Sequence, residues 1–261
     1  KVGVPALVLA FIGSLWMLYA VSVDGPVRIA LQPFSPGSRD WLHFGLFIDR
    51  LSAIMMVLIT GVSTIIHLYS IKYLQGERGY ARFYALLGLM TFVILSLVSS
   101  ANLFMLFVFW QLLSWMLYLL LSYNFGHPPA VRFAFKTLIV HRVGDVTFLG
   151  GILLTYYLFG TLEFSQLFAR AAEAEILLPL WPGGQPVISA VTVITLLIFV
   201  GAMAKSAQFP LHVWLPDTMD TPTPVSALMH AGIVNAGGFW LNRLAPLFGL
   251  SPATLHVVFA I

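Results

Sequence analysis

Residues 103–123 read LFMLFVFWQLLSWMLYLLLSY, and in LFMLFVFW apolar side chains cover every face of the element they form. A transmembrane strand would alternate in polarity along a segment of roughly 10 residues. This run does not alternate, and neither does LLTYYLF at 153–159. A helix crosses the hydrocarbon core with roughly 20 apolar residues, and in lipid it satisfies its own backbone. The same pattern recurs along the chain. Spans are expected at Pro5–Val23, Leu51–Ile71, Phe83–Val98, Leu103–Tyr123, Phe135–Leu158, Ser189–Leu211 and Val225–Leu247. The expected fold class is all-α, a polytopic transmembrane helix bundle in a lipid bilayer.

Composition agrees. Hydrophobic residues make up 59% of the 261 positions and charged residues 9%, whereas a soluble domain is about a quarter charged. The net charge of +3 comes with no basic cluster, so nucleic acid is not an expected partner. With no cysteine, disulfides, thiolate metal sites and cysteine nucleophiles are excluded. The seven histidines are scattered without HxxxH or HxH spacing, and no metal site is expected in this chain.

Loop charges set an orientation. Lys72, Arg78 and Arg82, then Arg132 and Lys136, fall in or beside loops on one side; Glu163, Glu173 and Glu175, with Arg170, fall on the other. By the positive-inside rule the first side, and with it the N-terminus, is expected to face the cytoplasm. The loop Asp24–Arg50 is rich in Pro, Gly and Ser and is expected on the outer surface, and LPLWPGGQP (178–186) breaks the chain before the next helix. Trp16, Trp41, Tyr73, Tyr123 and Trp181 sit near span ends, as interface anchors do. The chain opens on Lys1 without a signal-peptide layout and stops in LHVVFAI (255–261). An eighth helix is therefore expected to begin near Thr254, and residues 1–261 read as a single membrane domain of a longer chain.

Ionisable residues inside spans are costly and usually face the bundle interior, where they mark ion or substrate paths. In FKTLIVHRVGDV (135–146), Lys136, Arg142 and Asp145 share one helix. Arg142 and Asp145 are three apart and therefore neighbours on one face. They form either a local pair that neutralises two charges for insertion or an element of an ion path. His141 points elsewhere, either as a packing histidine or as a polar contact.

The stretch GAMAKSAQFPLHVWLPDTMDTPTPVSALMHAG (201–232) carries the stronger signal. Lys205 follows a long apolar run with no partner nearby in sequence. Pro210 removes a backbone bond and clashes with the preceding turn, so a helix break is expected at Pro210, one turn beyond Lys205. Broken helices at membrane depth are tolerated where they line a cavity, and they form binding sites in transporters. Lysine as a residue type can gain and lose a proton when buried; the bland alternative is a lysine that snorkels to the interface. Pro222 and Pro224 open the next helix. His230 lies about two turns into it and could relay protons. Asn102 and Asn235 are polar marks that could simply hold helices together.

These residues carry a resemblance. KSAQFPLHVWLPDTMDTPTPVSALMHA (205–231), RVGDVTFLGGILLTYYLFGTLEF (142–164), HLYSIKYLQGERGYARFYALL (67–87) and NLFMLFVFW (102–110) resemble the proton-translocating antiporter-like subunits of respiratory complex I, the distal subunit L type above all. The likeness runs from roughly Gly45 to Arg243. It implies a further helix before Pro5 and a second half-channel after Ile261. It also implies that Lys205 is a proton-carrying lysine in a broken helix, that His230 lies on a connecting polar axis, and that Arg142–Asp145 is a structural and modulatory pair. His141, Gln111 and Lys136 would be secondary polar contacts. The family pattern has a glutamate after the tryptophan of WQLLSW, paired with that lysine; here the position is Gln111, which can hydrogen-bond but cannot titrate.

The run PTPVSALMHAGIVNAGGFWLNRLAPL (222–247) resembles the membrane subunit of the two-component inorganic-carbon-accumulating (DAB) complexes of bacteria, which lack the usual glutamate pairing. That resemblance implies a cytoplasmic partner similar to a zinc β-carbonic anhydrase, with the zinc and the CO2 hydration in the partner and no cofactor in this chain. Mrp-type cation/proton antiporters are a third relative, with a poorer fit at RVGD. Three functions follow: a proton- or Na+-driven coupling subunit for carbon accumulation, a pumping subunit of a quinone-reducing complex, or a membrane anchor that no longer conducts.

Overall fold

Two of the long helices start where a short polar side chain accepts from the backbone donors that a helix leaves free in its first turn. Asp49 accepts from the Ser52 N–H at 2.9 Å and opens α2, Arg50–Tyr73. Asn102 accepts from the Met105 N–H at 2.7 Å and opens α4, Leu103–Leu121. In the computed structural model, which describes residues 3–30, 44–77, 79–174, 176–179 and 187–261, these belong to a bundle that also holds α1 (Gly3–Asp24), α3 (Tyr80–Val98) and α5 (Pro128–Phe159). These five are long and apolar enough to cross a membrane.

The rest departs from the expected spans. The sixth span is α7, Ala190–Lys205, which is shorter than expected. The seventh is assembled from α8 (Thr223–Leu228), a π-helical turn (Met229–Val234) and α9 (Asn235–Arg243). A 3₁₀ turn, Pro216–Asp220, precedes it. α5 starts at Pro128 rather than near Phe135 and runs for 32 residues, roughly 48 Å at 1.5 Å per residue. That exceeds the hydrocarbon thickness and brings Arg132 and Lys136 into its first turns. Between the spans lies α6 (Phe164–Glu173), with an apolar face of Phe164, Leu167 and Ala171; α10 (Ala245–Gly249) follows α9, and α11 (Pro252–Ala260) begins where the eighth helix is expected. The all-α reading holds apart from two antiparallel hairpins in the loops: β1 (Val27–Ala30) with β2 (Gly45–Ile48), and β3 (Leu177–Pro179) with β4 (Val187–Ser189). Trp41, Trp181, Arg78, Glu175 and the middle of the first loop lie outside the described residues.

Lys72, at the end of α2, and Arg82 and Arg132, at the starts of α3 and α5, lie at one end of the bundle. Glu163, Arg170 and Glu173, on and beside α6, lie at the other.

The α5–α7 pair forms the tightest helix contact, and small residues permit it. A Cβ on Gly201 would stand 2.7 Å from the Phe148 Cβ, and one on Gly151 would stand 2.9 Å from Ile198. A Cβ on Gly144 would collide with Ala204, one residue before Lys205. Without a hydrophobic driving force in lipid, close backbone approach of this kind is what holds helices together. Gly144→Val and Gly201→Val are therefore each expected to destabilise the detergent-solubilised protein by about 1–3 kcal/mol. Gly238→Ala, where a Cβ meets nothing within 4 Å, should leave the thermal melt unchanged.

Candidate functional site at the helix break

α7 ends at Lys205 itself, not at Pro210. The last regular bond runs from the Ser206 N–H to the Ala202 carbonyl at 2.9 Å; Ala207 then adopts a left-handed φ of 50°, which lets the Gln208 N–H reach back to the Met203 carbonyl at 3.0 Å. This six-to-one closure normally uses glycine. The helix has already stopped when Pro210, exposed in the following turn, is reached. The carbonyl of Ala204, left without a helical donor, accepts the indole N–H of buried Trp214 at 2.9 Å. Ala207→Gly is expected to leave assembly intact. Ala207→Val places a β-branched residue where φ is positive and should lower the yield of folded protein, read by size-exclusion chromatography.

The side chain of Lys205 is wholly buried, so its ammonium does not reach an interface. It donates to Ser114 Oγ and to the Trp110 carbonyl at 3.4 Å, and lies 5.3 Å from the centre of the Trp110 ring. Among the described residues no carboxylate forms a salt bridge with it. Trp110 and Ser114 are four apart on α4 and so share the face turned towards α7.

α5 supplies the remaining charges. Asp145 accepts the Trp110 indole N–H at 2.8 Å and pairs with Arg142 at 3.2 Å. Arg142 in turn donates to Gln111 Oε1 and lies over the Trp115 ring at 5.5 Å. His141 is fully buried, edge-on to Trp214 with ring centres 4.7 Å apart, and among the described residues neither of its nitrogens has a hydrogen-bond partner. Lys205, Asp145, Arg142, His141 and Gln111 thus converge, with Trp110, Ser114 and Trp214 between them.

Two expected site residues stand apart. Lys136 is half-exposed and pairs with Asp217 at 2.7 Å, which ties α5 to the 3₁₀ turn. His230 lies in the π-helical turn with an exposed side chain and, among the described residues, has no hydrogen bond to the cluster. The π turn still touches the break, because Ser206 Oγ donates to the Val234 carbonyl at 2.9 Å. A π turn is rare and frequent at functional sites.

Sequence reasoning missed Trp110, Ser114 and Trp214, although the WxxxS spacing beside Gln111 was a usable signal. It also missed a second buried pair at the other end of the bundle. Arg243 of α9 donates to both oxygens of Asp49, at 2.8 and 3.1 Å, and to Ser52 Oγ. Chemically, the break gathers a buried ammonium, carboxylate and imidazole beside a part-exposed guanidinium. The first three can exchange a proton, whereas the guanidinium stays charged.

Residues 100–261 match the family model described as NADH:quinone oxidoreductase/Mrp antiporter, TM. Residues 38–84 match that of the NADH-ubiquinone oxidoreductase (complex I) chain 5 N-terminus. The probable inorganic carbon transporter subunit DabB1 of Halothiobacillus neapolitanus is 45% identical over 232 residues, 86% of this chain and 40% of that protein. NADH-quinone oxidoreductase subunit L of Neisseria meningitidis is 43% identical over 221 residues, 83% of this chain and 32% of that protein. The chain thus spans less than half the length of these relatives. Among solved structures, a chain of the Mrp complex from a Dietzia species has a TM-score of 0.72 at 28% identity, covering 92% of this chain and 25% of its own. A chain of respiratory complex I from Thermus thermophilus with bound NADH has a TM-score of 0.75 at 22% identity, covering 98% and 50%, a likeness of fold.

Proposed function

The chain belongs to the NADH:quinone oxidoreductase/Mrp antiporter family of membrane subunits, and from that premise we propose that it is the ion-translocating, energy-coupling subunit of an inorganic-carbon accumulation complex. The observation that carries the ion path is Lys205. It is a wholly buried ammonium at the end of a broken helix, held by a hydroxyl, a carbonyl and an aromatic face rather than by a carboxylate. A group so placed holds a proton in a dry interior and can release it when its surroundings rearrange. His141, in the same buried cluster, is the nearest candidate to receive that proton, and Arg142–Asp145 sets the local field. Lys136 and Gln111 are supporting contacts. His230 serves a later step outside this cluster.

The carbon-accumulation reading is supported by the likeness to DabB1 and by Gln111 standing where a titrating partner would otherwise be. The partner is a cytoplasmic carbonic-anhydrase-like subunit that carries the zinc and performs the hydration, while this chain supplies the driving force. The end with Lys72, Arg82 and Arg132 faces the cytoplasm of a bacterial inner membrane. The transported cation is a proton, or Na+ in its place.

The likeness to subunit L, 43% identical, favours a second reading, a pumping subunit of an NADH:quinone oxidoreductase. One experiment separates the two. The complete gene, in its operon, is placed in a carbonic-anhydrase-deficient bacterium grown at air-level CO2, and the chain's partners are identified by affinity purification. Growth rescue with a single large zinc protein copurifying is the expected result. No rescue, with iron–sulfur and flavin subunits copurifying, would overturn the carbon reading in favour of the respiratory one.

A further inference from the structure

Asp145 is buried to 4% exposure, and its two oxygens have different partners. One lies 3.2 Å from the Arg142 guanidinium, and the other accepts the Trp110 indole N–H at 2.8 Å. The same indole offers its face to Lys205, whose Nζ stands 5.3 Å from the ring centre, and the Trp110 carbonyl accepts from it at 3.4 Å. One aromatic ring therefore has an anion at its edge and a cation over its face. A carboxylate that draws on the indole proton pushes electron density into the ring, and a richer π face attracts a cation more strongly. In a water-poor interior, linked bonds of this kind reinforce one another.

The neighbours set the charge balance. On α5, Lys205 is faced by Asp145, Arg142 and His141. On α4 it meets the neutral Trp110 and Ser114, while the neutral Gln111 beside them meets Arg142. With Lys205 charged, the cluster holds two cations and one anion. Gln111, by accepting from Arg142, holds the guanidinium towards α4 and leaves one carboxylate oxygen of Asp145 free for Trp110.

We infer that Asp145 is the counter-charge of Lys205, acting through the indole of Trp110, with Gln111 as the neutral tether that keeps Arg142 from monopolising the carboxylate. Asp145 and Trp110 are thus positioning residues for the lysine. This rests on Lys205 being the ion-carrying group proposed above. The alternative is that Asp145 serves Arg142 alone, as a local ion pair.

The test measures ion-driven bicarbonate uptake by the full complex in Asp145→Asn, Trp110→Phe, the two combined, and Asp145→Asn with Gln111→Glu. Phenylalanine keeps an aromatic face but loses the N–H together with one ring of the buried indole. Each single change is expected to lower uptake about tenfold, the scale of one hydrogen bond to a charge. The combined variant should be no worse than the poorer single, because both changes cut the same link. Gln111→Glu, which returns an anion to the cluster, should bring Asp145→Asn to within about twofold of Gln111→Glu alone. Wild-type uptake in Trp110→Phe, losses that multiply in the combined variant, or no recovery with Gln111→Glu would each overturn the inference. If Asp145→Asn fails to assemble, Trp110→Phe decides it: a loss of about tenfold in uptake supports the inference and wild-type uptake overturns it. Uptake that survives Lys205→Ala would instead sink the ion-path reading, so the two failures are distinguishable.

Discussion

Lys205→Ala is expected to reduce ion-driven uptake, and with it growth at air-level CO2, to the level of cells lacking the chain, with the complex still assembled. The separation of activity from assembly follows from how the lysine is held. Its ammonium is buried and has no carboxylate in salt-bridge contact among the described residues, so removing it breaks no salt bridge. Asp145 keeps Arg142. Lys205→Met makes the point more sharply, because it fills the same space without a charge. A charge buried without a salt bridge is costly to desolvate, so an apolar side chain of similar volume should leave stability unchanged or raise it. A variant that melts no lower than wild type but transports nothing would mark a site where stability is given up for function. Lys205→Arg keeps the charge but cannot release its proton, and it too should be inactive. Transport by Lys205→Met would remove the residue from the ion path and favour a membrane anchor.

The largest effect on stability is expected at the other end of the bundle, in Asp49→Ala. Asp49 accepts the Ser52 N–H that opens α2 and grips Arg243 through both oxygens. The arginine, with a side chain only 5% exposed, is also enclosed by the rings of Phe47 and Phe239. Removing one partner of a buried pair leaves the other uncompensated, at a cost of about 3–5 kcal/mol. The Asp49 side chain is 31% exposed, which argues for the lower figure, about 3 kcal/mol. Losing the cap adds about 1 kcal/mol. Asp49→Asn keeps the cap and loses the charge, so it should recover only that smaller part. Asp49→Asn with Arg243→Met should be more stable than Asp49→Asn alone, since no unpaired charge remains. Chemical denaturation in detergent reads all three. A melt of Asp49→Ala within about 0.5 kcal/mol of wild type would show that the pair holds nothing.

Much of this molecule was legible from residue order because lipid enforces local rules. A backbone in hydrocarbon must satisfy itself within one helix, so the spans from α1 to α4 appear as long apolar runs and α5 as one interrupted by charges. The same logic singled out Lys205, Arg142 and Asp145 as charges with no place among lipid tails, and the three-residue spacing put the last two on one face. What could not be read there depended on contacts between distant segments. Arg243 and Asp49 are 194 residues apart, and nothing local in either announces the other. Pro210 was the plausible breaker, yet α7 stops at Lys205 because a left-handed Ala207 is accepted where Trp214 is ready to cap the freed carbonyl of Ala204. His230, on a helical pattern that read as interior, is turned outwards by the π-helical segment that carries it. Trp110 looked like one more apolar residue of α4 until α5 brought Asp145 to its edge and α7 brought Lys205 to its face. Sequence alone determined which residues could not face lipid, because the cost of burying a charge belongs to the residue. Tertiary structure alone decided what each of them faces instead, because a partner is a property of the packing.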